Sequence, residues 1–499
     1  MGFSIYKGEK IMTRNHTMMQ FFEWHVEADG THWNRLKEMA SELKKRGIDS
    51  IWIPPATKAL SPEDTGYGVY DVYDLGEFDQ KGSIRTKYGT KQELLDAIAA
   101  CHDHGISVYA DVVMNHKAGA DETEVFQVIE VNPNNREEEI SEPFDIEGWT
   151  KFVFPDRNNQ HSSFKWGFEH FNGTDYDAKR DQMGIFRIAG EHKAWNDHVD
   201  DEFGNYDYLM FANIDYNHPA VREEMIRWGK WLADTLSCDG YRLDAIKHIN
   251  HTFIRDFVTE MMNHRGQDFY VVGEFWNPDL AACQEFLNHV DYTIDLFDVA
   301  LHYKLHEASK NGRDFDLTTI FDDTLVQTHP LHAVTFVDNH DSQPHESLES
   351  WVEDWFKQSA YALILLRKDG YPCVFYGDYV GIGGTEPIKG KKEMIDSLLY
   401  ARYHKAYGKQ EDYFDHPNTI GWVRFGVQEI EYSGCAVVIS NGDEGEKRMF
   451  VGKERAGESW VDLTNNRSDL ISIEEDGFAT FPVNGGSVSV WVLPSNQDR

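Results

Sequence analysis

The sequence predicts an α/β chain: a (β/α)8 TIM barrel with an inserted domain after strand three and a C-terminal antiparallel β-sandwich. Three observations carry this. Eight short apolar runs alternate with helical patterns, one crossover is far too long for a loop, and the patterning turns to period two near the end. At 499 residues the chain also exceeds what one ordinary core organises.

The eight runs are Met18 to Trp24, Ser50 to Pro55, Ser107 to Val113, Gly240 to Leu243, Phe269 to Gly273, Tyr292 to Phe297, Ala333 to Val337 and Cys373 to Tyr376. Helices separate them. Over Trp33 to Arg46, Leu36, Met39, Ala40 and Leu43 form one apolar stripe that Gly47 ends. Another helix starts at Pro219, a residue suited to the first turn, and runs through Trp228 and Leu232 toward Gly240. Before Pro219 lies a crossover of roughly 100 residues, rich in Asn, Asp, Gly and aromatics, so residues 117–214 read as an inserted domain. The barrel takes 1–116 and 215–408. Beyond Gly408, runs such as Cys435 to Ile439 and Ser487 to Val492, with Gly and Asn turns, predict the sandwich over 409–499.

Acidic residues outnumber basic ones 85 to 48, giving a net charge of −37 that repels phosphate backbones and anionic lipid. Nucleic-acid and membrane partners are therefore not expected, whereas a neutral sugar meets no such repulsion. The 14 Trp and 23 Tyr suit polar, stackable ligands. Five widely spaced cysteines, without CxxC or Cys/His ligand spacing, predict neither a disulfide framework nor a zinc site. Residues 1–17 lack the apolar core of a signal peptide, so a cytoplasmic enzyme is expected.

In such a barrel, polar groups just after the strand ends face the active site. Four ends carry them: Asp111-Val-Val-Met-Asn115-His116, Gly240-Tyr-Arg242-Leu-Asp244-Ala-Ile-Lys247-His248, Val271-Val-Gly-Glu274-Phe-Trp276 and Phe336-Val-Asp338-Asn-His340-Asp341. One such carboxylate alone is ordinarily a helix cap or a salt-bridge partner. Acids converging on one rim from strands four, five and seven are not predicted by independent capping. Cleaving a glycosidic bond requires one carboxyl to protonate the leaving oxygen and another to attack or to activate water. Arg242 projects to the same side as Asp244 and would keep it ionised as a nucleophile. Glu274 has apolar and aromatic neighbours, which raise a carboxyl pKa as a general acid requires. Asp341 would be the third group, with His116 and His340 donating to sugar hydroxyls.

These four motifs, in this order, resemble the signature regions of the α-amylase superfamily of glycoside hydrolases. Met19-Gln-Phe-Phe-Glu-Trp24, Gly66-Tyr67-Gly-Val-Tyr-Asp71, Asn205-Tyr-Asp207-Tyr-Leu-Met and Gly485-Gly-Ser-Val-Ser look like the bacterial liquefying α-amylases. The signal-free start and Phe414-Asp-His-Pro-Asn418 are closer to the intracellular branch of that group. The resemblance implies a monomer and retaining endo-hydrolysis of α-1,4-glucosidic bonds in starch, glycogen or maltodextrins. It implies Asp244 as nucleophile, Glu274 as acid/base and Asp341 as transition-state stabiliser. It further implies Tyr67 as the ring stacked on the sugar, with Trp24, His116, Arg242, Lys247, Trp276 and His340 as other substrate-binding positions.

The resemblance also implies a Ca2+ site formed by Asn115, Asp207, Asn213 and the backbone oxygen of His248, ligands that suit a hard cation. Where many relatives carry aspartates this chain reads Asn172, Asn196, Asn213 and Asn217. With those charges missing, a second calcium is not expected and the remaining site should be weak or take a monovalent ion. A further family site matches Glu411, Asp412 and Asn441. Two alternatives stay open at this point: transglycosylation through the same carboxylates, and a non-catalytic member that only binds carbohydrate.

Overall fold

The computed structural model describes residues 14–495, so residues 1–13 of the polar N-terminal stretch lie outside the described residues. Eight parallel strands close into a barrel. They are β1 (Met18–Gln20), β2 (Ser50–Ile53), β3 (Ser107–Val112), β4 (Gly240–Leu243), β5 (Tyr270–Gly273), β6 (Asp295–Phe297), β7 (Ala333–Phe336) and β8 (Tyr371–Phe375). Each falls within or against one of the eight apolar runs. β1 stops before the end of its run, although Phe21 N–H still donates to Trp52 O, and β6 starts late in its run because Asp291 and Tyr292 turn through positive φ.

The main helices are α1 (His32–Lys45), α2 (Lys91–Asp103), α3 (Pro219–Leu236), α4 (His251–Arg265), α5 (Leu280–His289), α6 (Val299–Asn311), α7 (Lys357–Leu365) and α8 (Lys392–His404). α1 buries Trp33, Leu36, Ala40 and Leu43, and α2 starts with a capping box between Thr90 and Glu93. α3 opens on Pro219 and buries Trp228, whose indole N–H donates to Val72 O at 2.7 Å.

A seven-stranded antiparallel sheet occupies the long crossover, from His116–Lys117 to Ala212–Ile214. Its first and last strands pair with each other, Asn213 opposite His116, so both ends of the crossover return to the rim near β3. After α8 come a six-stranded sheet and a two-stranded one. Val438, Met449, Trp460, Phe481 and Trp491 fill the space between them, which makes the β-sandwich. All five cysteines are buried and free. No helix among the described residues is long and apolar enough to cross a membrane.

Candidate active site

Strand register explains how the strand-end acids meet. Arg242 on β4 stands beside Asp111 on β3 and Val272 on β5. Backbone bonds continue past the strand ends: Asp244 N–H donates to Val112 O at 3.0 Å, and Glu274 N–H to Leu243 O at 2.9 Å. Both carboxylates thus leave the sheet at fixed heights above Arg242. Gly273 makes room for Ile246 in the turn after Asp244, since a Cβ there would lie 2.2 Å from Ile246 Cδ1.

Arg242 is fully buried and holds three carboxylates. Its Nη1 donates to Asp244 Oδ1 at 2.6 Å and to Asp111 Oδ1 at 3.0 Å, and its Nη2 donates to Glu274 Oε2 at 2.9 Å. Burial opposes its charge, but Asp111, Glu274 and Asp244 outweigh that and push its pKa up. Glu274 is pushed up to about 8, first by burial and then by the charges of Asp244 and Asp341, against the pull of Arg242. Burial is the largest cause, as the sequence neighbours suggest, and crowding by Asp244 and Asp341 adds to it. Phe275 packs on Phe286, 4.8 Å away, and Trp276 donates its indole N–H to Tyr303 Oη.

Asp341 is pushed up to about 7 by burial and by the charges of Asp244 and Asp111, with Arg242 opposing. His340 Nε2 lies 3.3 Å from Asp341 Oδ2, and Gln20 Nε2 lies 2.9 Å from His340 Nδ1. Burial and Arg242 hold the His340 pKa well below the usual histidine value. Trp24, Tyr67 and His340 are parallel rings, with Tyr67 and His340 5.0 Å apart at 6°.

Asp111 is the residue that sequence reasoning quoted without giving it a role. It accepts from Arg242, from Trp52 Nε1 at 2.9 Å and from Tyr67 Oη at 2.9 Å, tying the stacking ring to the guanidinium. Its place at the level of Arg242, inside the same strand-end motif as His116, was the available signal. His116 lines the cleft, but Nε2 faces Tyr67 O at 2.8 Å and Nδ1 faces the Asn115 amide at 3.3 Å. A sugar hydroxyl would have to share one of these ring nitrogens. Lys247 is paired with Glu202 across the cleft.

The cleft has a volume of about 810 Å³ and brings together Trp24, Tyr67, His116, Asp244, Lys247, His248, Glu274, Trp276, His340 and Asp341. Arg242 lies beneath it. The remaining predicted ligands, Asn115, Asp207 and Asn213, are buried at the join with the inserted sheet. There Asn172 Nδ2 donates to Asp207 Oδ2 at 2.7 Å, Asn196 Nδ2 to Asp207 Oδ1 at 2.9 Å, and Asn213 Nδ2 to Asn172 Oδ1 at 2.8 Å. Burial pushes Asp207 up to about 6, against these donors. Asn196 Oδ1 and Asn213 Oδ1 are buried without a hydrogen-bond partner among the described residues. Asn217 is exposed and stands apart. Among the described residues no group of three histidine, cysteine or carboxylate side chains is arranged to hold a metal ion. Of the further family positions, Asp412 pairs with Arg367, Glu411 accepts from Tyr413, and Asn441 donates to the Gly312 and Phe315 carbonyls.

A closed parallel barrel with several acids gathered on one rim beside aromatic faces is an arrangement that suits glycoside hydrolysis. The alpha amylase catalytic-domain family matches residues 27–417. A glucan 1,4-alpha-maltohexaosidase of Bacillus sp. (strain 707) is 53% identical over 479 residues, covering 96% of this chain and 92% of that protein. The cytoplasmic alpha-amylase of Escherichia coli (strain K12) is 46% identical over 492 residues, covering 96% and 99%. In fold, the chain is similar to an Anoxybacillus alpha-amylase, with a TM-score of 0.65 at 17% identity, covering 97% and 98%. The chain belongs to the alpha-amylase family of glycoside hydrolases.

Proposed function

We propose that this enzyme hydrolyses internal α-1,4-glucosidic bonds of starch, glycogen or maltodextrins with retention at the anomeric carbon. One observation carries the mechanism: a single buried guanidinium holds Asp244 and Glu274 together, and burial pushes the Glu274 carboxyl up to about 8 as a general acid requires. Two carboxylates on one planar fork favour the short spacing of retaining enzymes, about 5–5.5 Å, over the wider gap of about 6.5–9.5 Å that leaves room for water in inverting ones. The names of the relatives, a 1,4-glucan hydrolase and alpha-amylases, support the bond and the substrate class.

Asp244 attacks the anomeric carbon as Glu274 gives its proton to the departing glycosidic oxygen, forming a glycosyl ester on Asp244. Water then attacks the same carbon, yields a proton to Glu274 and frees Asp244. Asp341 faces the ring as positive charge develops, and Tyr67 offers it a stacking face. Trp24, His116, Lys247, Trp276 and His340 line the sugar path. The test is NMR of the first products from maltoheptaose. α-Anomer that disappears in Asp244→Asn and Glu274→Gln supports this reading; β-anomer, longer oligomers as the main product, or full activity in either variant overturns it.

A calcium ion fits the join between the barrel and the inserted sheet. Asp207, the unpartnered oxygens of Asn196 and Asn213, Asn115 and the His248 carbonyl form an all-oxygen set with a single charge. The ion would supply cross-linking there, at one weak site that a monovalent ion could also fill. A monomer acting in the cytoplasm completes the reading, supported by the relative named cytoplasmic.

A further inference from the structure

Asp341 has little to hold it in place. Its only side-chain partner among the described residues is His340, so its aim depends on the backbone turn that carries it. That turn is tied from behind. Asn339 Oδ1 accepts from the Asp341 N–H at 2.9 Å and from the Ser342 N–H at 2.8 Å. Ser342 Oγ accepts from the Asn339 N–H at 2.9 Å and donates to Asp338 Oδ1 at 2.7 Å.

The other oxygen of Asp338 leads away from the cleft. Lys357 Nζ, at the start of α7, lies 2.5 Å from Asp338 Oδ2 and 2.7 Å from Asp378 Oδ1, and all three side chains are fully buried. Val352 N–H adds a bond to Asp338 Oδ2 at 3.2 Å, and Tyr361 Oη donates to Asp378 Oδ2 at 2.8 Å. The Trp351 ring covers the ammonium, with its centroid 3.3 Å away. One cation therefore clamps the rim after β7 to the rim after β8, and the clamp reaches Asp341 through Asp338, Ser342 and Asn339.

A buried ion triad is a poor device for stability alone, since well-packed apolar residues of similar volume often do as well or better. Its direction is more informative. A displacement of about 1 Å in a reacting group can cost about 100-fold in rate.

We propose that Lys357 is a positioning residue, and that the Lys357–Asp338–Ser342 relay aims the Asp341 carboxylate at the sugar ring. The inference rests on the role proposed above for Asp341. It predicts that cutting the relay lowers turnover without weakening ground-state substrate binding.

Lys357→Met, Ser342→Ala, the double variant Lys357→Met/Asp338→Asn and Asp341→Asn are compared in the full chain, with kcat and KM on a chromogenic maltooligosaccharide, Tm, and binding of a cationic aminosugar mimic of the transition state. Ser342→Ala removes one small hydroxyl and should fold even where Lys357→Met does not. It is expected to lower kcat about tenfold, the effect of one lost hydrogen bond, with KM within about twofold. Lys357→Met is expected to lower kcat about 100-fold. The aminosugar should bind more weakly in each by the same factor as kcat/KM falls. The double variant should recover Tm in part but not kcat, because it no longer leaves Asp338 as an unpaired buried charge, Asp378 keeping only its bond from Tyr361, and it does not restore the aim. Ser342→Ala at wild-type kcat beside an inactive Asp341→Asn overturns the relay, as does recovery of kcat together with Tm in the double variant. Wild-type activity in Asp341→Asn overturns the reading of Asp341 itself, and the relay with it.

Discussion

Gln20 and His340 are joined by a buried 2.9 Å contact between the Gln20 amide nitrogen and His340 Nδ1. The amide donates, so Nδ1 accepts and the proton of the neutral ring sits on Nε2, 3.3 Å from Asp341 Oδ2. A residue at the end of β1 thereby sets the tautomer of a ring after β7. Gln20→Leu leaves Nδ1 unpartnered and frees the other tautomer. kcat/KM is expected to fall on the order of tenfold, the worth of one well-placed hydrogen bond, and steady-state kinetics checks it. Unchanged kcat/KM would show that the tautomer does not matter.

The alkaline limb of the pH profile should belong to Glu274. A general acid works only while protonated, and this one is held up to about 8 by burial and by Asp244 and Asp341. kcat/KM is expected to fall as pH rises through about 8. Glu274→Gln removes the limb together with nearly all activity. Asp341→Asn takes away one of the charges that raise Glu274, so in any residual activity the limb should move to lower pH.

The same elevation has a cost in stability, and its sign is fixed. A carboxyl whose folded pKa exceeds its unfolded value favours the native state below the unfolded pKa and loses that contribution as pH rises through the folded one. For Glu274 the window runs from 4.5 to about 8. Glu274→Gln mimics the protonated group at every pH. Its Tm relative to wild type is expected to climb across this window, by about 1 °C for each kcal/mol relieved in a chain of 499 residues. A Tm difference that is flat with pH would contradict this.

Asp111→Asn tests the residue that joins Arg242 to Tyr67. An amide there donates toward a guanidinium that can only donate. The variant is expected to lose about 10–100-fold in kcat/KM, one to two units of about 1.4 kcal/mol, with Tm also reduced. Wild-type kinetics would mean that Asp244 and Glu274 organise Arg242 without it.

At the join with the inserted sheet, asparagine amides solvate the buried Asp207 carboxylate through N–H donors and oppose the rise that burial gives its pKa. Calcium titration of chelator-treated protein by calorimetry is expected to find at most one weak site. Asn172→Asp with Asn196→Asp turns two donors into charges facing Asp207. That variant should melt below wild type in chelator and regain Tm with added calcium. Two or more tight sites in the wild-type chain would refute this account.

The barrel was legible because each strand lies in a compact apolar run and helices such as α1 carry one apolar stripe. Asp244 and Glu274 were legible as candidates because they directly follow such runs, and Asp341 because the polar motif that holds it does. What the sequence hides is whatever depends on register between distant strands. That Arg242 serves Asp111 and Glu274 as well as Asp244 follows from β3, β4 and β5 standing level. Lys357 lies 16 residues beyond Asp341, on a helix whose pattern reads as ordinary core, so only the closed barrel reveals its link to Asp338 and Asp378. The cause of the Glu274 elevation was half legible: burial can be read from its neighbours in sequence, whereas crowding by other acids needs the rim assembled.

Three carboxylates share the Arg242 guanidinium, with Asp341 close by. Near neutral pH such a site stores exchangeable protons, and a ligand that brings its own positive charge takes their place. A protonated aminosugar should therefore bind with release of protons to the buffer, so its apparent binding enthalpy should change with the ionisation enthalpy of the buffer. A neutral sugar of the same shape should show far less of this dependence.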